Sequence, residues 1–200
     1  MTGDGTVAFY EREADAYFRS TLKNDLTDLY RLFLECLPEG GLILDAGSGS
    51  GRDTLSFLRA GYRVEAFDAS ARLASLSEEM TGIRVDVARF ETWRGAPDRY
   101  AGIWCFASLL HVRNAELPAV LDRLVASLKP GGSFFASFKW GERSTVDERG
   151  RCFTNLTPDT ARELFEGVQG LELTRIWAEG GPTALSDPTT WIYVLGRRRG

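Results

Sequence analysis

Apolar positions in this 200-residue chain change period several times. From about Val7 to Leu37 they recur at helical spacing, with Leu26, Leu29, Tyr30, Phe33, Leu34 and Leu37 on one stripe. That stripe predicts one or two amphipathic helices closed by Pro38. The run "LILDA" at 42–46 then reads as a strand buried on both faces. Helix over 53–60, strand over 62–67, helix over 71–80 and strand over 83–87 follow in alternation. A second set repeats the theme: strand "YAGIWCFA" (100–107), helix "LPAVLDRLVASL" (117–128) ended by "KPGG", and strand "SFFASFK" (133–139). A polar loop over 140–155 leads to the helix "TPDTARELFE", with Thr157 as its N-cap. Two strand-like runs, "LELTRIWA" and "TTWIYVLG", close the pattern.

Strands alternating with helices of this length make an α/β fold, doubly wound, with a mostly parallel sheet covered on both faces. The last two strands have no helix between them, so they pair antiparallel at one end of the sheet. One domain over 1–200 is expected, with a helical segment at 1–38 and an α/β core at 39–200.

Composition narrows the function classes. Apolar residues make up 44% and charged residues 26%, as in an ordinary globular protein. No apolar run approaches the roughly 18–20 residues of a membrane-spanning helix, and the N-terminal residues lack the pattern of a secretory signal. Three widely spaced cysteines, Cys36, Cys105 and Cys152, fit no metal motif, which suggests buried structural thiols and a cytoplasmic protein. Net charge is −4 with both signs well mixed. The only basic run is Arg197 to Arg199, so the expected partner is a small molecule rather than a nucleic acid.

The chemistry is concentrated in "LILDAGSGSGRD" (42–53), a glycine-rich turn between strand and helix. Such turns bring backbone N–H groups close to a ligand. The dinucleotide pattern G-x-G-x-x-G is broken, because Arg52 occupies its third glycine position. No Lys-Ser or Lys-Thr pair completes a triphosphate loop. Asp53 occupies the positive end of the helix that a phosphate would take. A carboxylate at Asp68, ending the second strand, matches the two vicinal hydroxyls of a ribose, or else caps the next helix. Asp86, ending the third strand, offers an acceptor to an adenine amino group, with the Val87 backbone at the ring edge. The alternative for Asp86 is a solvent-facing loop carboxylate.

These segments, taken together and in order, resemble the class I S-adenosylmethionine-dependent methyltransferases. "LDAGSGSGRD", "FDAS", "VDVARFE", "YAGIWCFASLLHV" and "SLKPGGSFFASFK" look like five successive motifs of that family. Within it, "GSGRD", "ASLLHV" and "SFKWGE…GRCFT" look most like small bacterial enzymes grouped with tellurite-resistance methyltransferases. Ala101 departs from the acidic residue common at the start of the fourth strand.

The resemblance implies a seven-stranded sheet with an antiparallel C-terminal strand inserted near its edge, an N-terminal helical lid and S-adenosylmethionine as cofactor. It places Asp45 and the backbone of Gly47, Gly49 and Gly51 at the methionine end, Asp68 and Ala69 at the ribose, and Asp86 and Val87 at the adenine. Backbone near Phe106 faces the amino-acid end, and Tyr10 and Tyr17 of the lid either cover the cofactor or pack the helices. His111, the only histidine, is the candidate general base or a structural hydrogen-bonding group. Lys139 and Arg143 are candidates for holding an anionic acceptor, although three acidic side chains lie among the four basic ones of 139–151. No metal is implied. The expected reaction is methyl transfer to a small molecule. A non-enzymatic S-adenosylmethionine-binding module and a dinucleotide-dependent oxidoreductase are the alternatives.

Overall fold

The computed structural model describes residues 4–181 and 189–200; residues 1–3 of the expected helical segment lie outside them. Along the chain run α1 (Asp4–Thr21), α2 (Thr27–Leu34), β1 (Leu42–Ala46), α3 (Arg52–Arg59), β2 (Arg63–Asp68), α4 (Ala71–Thr81), β3 (Val85–Val87) and β4 (Tyr100–Cys105). After a 3-10 turn at Leu109–His111 come α5 (Leu117–Ser127), β5 (Leu128–Lys139), the short strands β6 (Thr145–Val146) and β7 (Cys152–Phe153), α6 (Pro158–Glu166), β8 (Leu171–Gly181) and β9 (Thr189–Arg198). Seven strands form one sheet in the order β3-β2-β1-β4-β5-β9-β8, with β6 and β7 as a separate hairpin. β9 runs antiparallel to both of its neighbours, and the other six strands share one direction. This is the expected doubly wound, mostly parallel sheet with an inserted antiparallel strand.

Burial follows position in the sheet. All six residues of β4, flanked by β1 and β5, are buried, while the edge strand β8 alternates toward solvent. On one face Trp104 of β4 stacks on Phe135 of β5 with ring centroids 4.1 Å apart. Phe33 of α2 and Phe57 of α3 close over that pair at 5.1 and 5.5 Å from Trp104. Phe165 of α6 covers the opposite face, against Phe134 and Phe138. Thr157 caps α6 as expected, its side chain accepting from the Thr160 N–H.

Three local expectations differ from the structure. Lys129 to Gly132 do not separate helix from strand but form a bulge within β5, between the pairs Tyr100↔Leu128 and Gly102↔Ser133. The polar segment 140–155 contains the β6–β7 hairpin. Cys36 is exposed rather than buried: it lies off the apolar stripe, beside Leu37, which stays in the core.

The first strand–helix turn is held by backbone shape. Gly51 is the left-handed N-cap of α3 at φ +76°, where a Cβ would overlap the Ser77 hydroxyl of α4. Gly82 has nearly the same φ, +74°, and open space around it. Gly82→Ala therefore costs about 1 kcal/mol from backbone strain alone. Gly51→Ala adds a packing clash of about 1–3 kcal/mol. Urea denaturation of both variants checks the difference; equal losses would refute the clash.

Candidate active site

The strand ends that carry the glycine turn, Asp68, Phe106 and Lys139 lie on one side of the sheet, and α1 lies across them. Its Glu11 carboxylate accepts from the N–H groups of Ala71 and Arg72 at the start of α4, a favourable site for negative charge. Asp15 pairs with Arg72 at 2.9 Å. Toward the other end of the roof, the Thr6 hydroxyl accepts from the Cys152 N–H of the hairpin at 3.0 Å. Under this roof lie two adjoining clefts of about 720 and 680 Å³. Gly47, Gly49, Tyr10, Tyr17, Ala107 and His111 line both, so the clefts form one groove with a shared middle.

The first half of the groove is centred on Asp68. One oxygen of this carboxylate accepts from the Gly49 N–H and the other from the Ser70 N–H, each at 2.8 Å. The glycine turn and the start of α4 are thereby tied to the end of β2. Each oxygen keeps a further lone pair for another donor. Partial burial holds the Asp68 carboxyl above the usual carboxylate range, and the two N–H donors counter that effect. Ala69 lines this half with Ala88 and Phe90. Asp86 and Val87 stand outside it. β3 is an edge strand that ends at Val87, so the chain turns into the groove only at Ala88; Asp86 pairs instead with Arg84 at 3.1 Å in solvent.

Gly47 and Gly49 shape the shared middle. Both are in the left-handed region, at φ +75° and +55°. A Cβ at Gly47 would collide with Ser108, and one at Gly49 would press on the Tyr17 ring at 3.3 Å. The Ser48 hydroxyl, in the lining of the second half, is buried with no hydrogen-bond partner. Two other residues expected in the groove lie behind it. Gly51 packs on α4, and Asp45 is buried with its carboxylate accepting from the Thr54 hydroxyl at 2.6 Å. Burial and the nearby Asp53 charge push the Asp45 carboxyl up to about 8.

His111 is fixed at both nitrogens. Nδ1 faces the Cys152 carbonyl oxygen at 2.7 Å, so it must carry the proton and donate. Nε2 therefore accepts from the Tyr10 hydroxyl at 2.9 Å. Burial, reinforced by the charges of Arg151 and Lys139, brings His111 down to about 4; the Cys152 carbonyl and Asp147 act in the opposite sense. Burial likewise raises Tyr10 to about 12, with the Arg151 charge opposing. Histidine and tyrosine are both neutral near pH 7.

The second half of the groove is lined by Arg52, Asp53, Phe106, Lys139, Arg151 and Trp191, among others. Arg151 is 7% exposed and pairs with Asp147 at 2.7 Å, its guanidinium lying between the Phe9 and Phe153 rings. Lys139 Nζ stands 4.1 Å from the Phe153 ring centroid and makes no hydrogen bond or ion pair among the described residues. Arg143 is not part of the groove; its side chain is exposed and its carbonyl accepts from Asn155. Arg151, on the far strand side of the hairpin turn, occupies the place expected of it. The signal for that turn was present in "DERG": Asp147 accepts from the Arg149 N–H at 3.0 Å, and Gly150 has φ +80°. Among the described residues, no His, Cys, Asp or Glu cluster suits a metal ion.

With one histidine in the chain, its protonation is directly observable. An NMR titration of the His111 ring should show a midpoint near 4. Between that value and the ordinary midpoint of about 6.5 the unfolded chain binds a proton that the folded chain refuses. This group therefore withdraws stability as pH falls through that window, and His111→Gln should show a shallower loss than wild type. A ring midpoint near the ordinary value would sink the buried neutral assignment.

A family model described as a methyltransferase domain matches residues 18–179. No curated protein matches the chain. Among solved structures, the chain is similar to a 1,6-didemethyltoxoflavin-N1-methyltransferase from Burkholderia thailandensis, bound to 1,6-didemethyltoxoflavin and S-adenosylhomocysteine. The TM-score is 0.77 at 21% identity, over 99% of this chain and 87% of the other. It is also similar to an S-adenosylmethionine-dependent methyltransferase from Methanosarcina mazei, with TM-score 0.76 and 16% identity over 88% and 99% of the two chains. A third, from Mesorhizobium loti, gives 0.66 and 16% over 87% and 99%. The match over 18–179 and the sheet order agree: the chain belongs to the methyltransferase-domain family and has the fold of its S-adenosylmethionine-dependent members.

Proposed function

We propose that this S-adenosylmethionine-dependent methyltransferase methylates a small-molecule acceptor held in the second half of the groove. The observation that carries this reading is the groove itself: a half suited to a nucleoside opens directly into a second half of similar size. The methionine end of the cofactor, near Ser48 and Phe106, takes only part of that second half and leaves the part bordered by Lys139, Arg151, Phe153 and Trp191 for an acceptor.

The residues present fit the cofactor. The free lone pairs of Asp68 suit ribose hydroxyls, with Ala69 beside them, and Ala88 and Phe90 replace Asp86 and Val87 as the adenine wall. Gly47 and Gly49 leave a cradle that a Cβ would fill, and the partnerless Ser48 hydroxyl has a donor to give at the methionine end. Backbone at Phe106 borders the same end. Tyr10 and Tyr17 of α1 cover the middle, so α1 acts as a roof over cofactor and acceptor, whereas α2, expected in the same lid, packs on the sheet face through Phe33. When bound, S-adenosylmethionine supplies a methyl group on a cationic sulfonium, open to displacement by an acceptor atom.

The chain contributes chiefly position and exclusion of water, and orientation of this kind can supply about 7–11 kcal/mol of barrier lowering. Asp45 and Gly51 act from behind the groove by holding the turn. His111 serves as a positioning residue rather than a base, because both of its nitrogens are engaged. Resemblance to tellurite-resistance enzymes adds chalcogen oxyanions to the acceptors worth testing, while Phe106, Phe153 and Trp191 favour a flat ring.

Calorimetry with S-adenosylhomocysteine tests the cofactor half. Asp68→Asn should weaken binding about 10- to 100-fold, from the loss of charge-assisted hydrogen bonds worth about 1.5–3 kcal/mol, and NAD should not bind. A wild-type affinity in Asp68→Asn would remove this carboxylate from the site. Turnover should appear as S-adenosylhomocysteine release in a screen of small acceptors; its absence across ring anions, thiols, amines and chalcogen oxyanions would favour a binding module instead.

A further inference from the structure

The second half of the groove has an unusual inventory of charge. Three cations line it, Arg52, Lys139 and Arg151, and a single carboxylate, Asp53. Asp53 is already committed to three donors, the Tyr30 hydroxyl, the Arg52 guanidinium and the Trp104 indole. Asp147, the partner of Arg151, lies behind that guanidinium rather than in the lining. His111 has no free nitrogen, and the Tyr10 hydroxyl spends its proton on Nε2. No group in this half is therefore free to take a proton from an acceptor.

Lys139 supplies the opposite property. Its ammonium sits at the end of β5 above Phe153, half-buried and without an anionic partner. Arg151 faces the same ring at 5.1 Å, so two cations share one aromatic wall in a partly desolvated site. Arg151 is balanced by Asp147 and Lys139 has no such partner, so an anion in this half gains a charge-assisted hydrogen bond from Lys139, with Arg151 in the same lining. The remaining walls are flat: Tyr10, Tyr17, Phe106 and Trp191.

We infer that the acceptor is a planar small molecule that enters as an anion, its charge held by Lys139 with Arg151. The inference rests on the methyltransferase reading and names its substrate class. An acceptor that arrives deprotonated needs no base. Its lone pair forms the new bond to the methyl carbon as the carbon–sulfur pair returns to sulfur, so the two charges cancel and no proton is left over.

Benzoate and its neutral analogue benzamide are suitable probes, titrated by calorimetry into the full-length protein with and without saturating S-adenosylhomocysteine. Wild type should bind benzoate about tenfold or more tightly than benzamide, the gain expected of one charge-assisted hydrogen bond. Lys139→Gln should erase that preference while keeping its Tm and its affinity for S-adenosylhomocysteine, and Lys139→Arg should restore most of it. Arg143→Gln, outside the groove, should behave as wild type. Equal affinities for the two probes, no benzoate binding at millimolar concentration, or benzoate binding unchanged in Lys139→Gln would each overturn the inference. Failure of S-adenosylhomocysteine to bind would instead strike the methyltransferase reading, and with it the acceptor assignment, even if benzoate still bound.

Discussion

Asp53 accepts hydrogen bonds from three parts of the chain that are far apart in sequence. The Tyr30 hydroxyl of α2 reaches it at 2.6 Å, the Trp104 indole of β4 at 2.8 Å and the Arg52 guanidinium at 2.6 Å. A carboxylate only 6% exposed is tolerated because each of these donors replaces lost water. It also lies in the first turn of α3, where the helix dipole favours negative charge. The glycine turn is the N-terminal extension of this helix, so its place over the sheet is set where α3 is anchored. Trp104 is in turn locked by its stack on Phe135. Arg52 extends the same node to the roof, with one nitrogen 3.3 Å from the Thr21 carbonyl oxygen at the end of α1. Core, turn and roof meet at a single buried charge.

From that node the groove acquires a polarity. Asp68 stands at one end, Lys139 and Arg151 at the other, and two neutral groups, Tyr10 and His111, lie between them. The neutrality of the middle has a structural cause. Burial disfavours the charged ring, and a protonated His111 would place a third cation beside Arg151 and Lys139; together these outweigh the Cys152 carbonyl, which favours the charged form. The cationic end is thus not crowded by a third positive charge from the ring beside it.

How much of this was legible in the sequence depends on element length. β1, β4, the second part of β5 and β9 read clearly because each carries a largely apolar run buried in the middle of the sheet. The glycine turn and Asp68 read clearly because residue type and position after a strand specify them. The place of Asp86 was not legible, because β3 is a three-residue edge strand, too short for its pattern to show that its last two side chains face solvent. Arg143 and Arg151 could not be told apart by charge. What separates them is a hairpin with two residues per strand, too short for any period to show. Likewise nothing local announces that Tyr10 and His111, 101 residues apart, share a hydrogen bond.

The wall of the second half that Arg151 and Phe153 supply comes from the short β6–β7 hairpin, which is held by its neighbours. The hairpin holds its place by donating the Cys152 N–H to Thr6, accepting from His111 at the Cys152 carbonyl, and reaching the 3-10 turn through Thr154. The Thr154 N–H binds the Leu110 carbonyl at 2.7 Å, and its hydroxyl binds that of Val112 at the same distance. α1 is bound to both partners, to the hairpin through Thr6 and to the turn through Tyr10 and His111. Lifting α1 to admit a ligand therefore breaks the Thr6–Cys152 and Tyr10–His111 bonds together, while Arg151 keeps Asp147 and His111 keeps the Cys152 carbonyl. Roof and groove are joined at these two points, and Tyr10 and Tyr17, which line both halves, leave them together when α1 lifts.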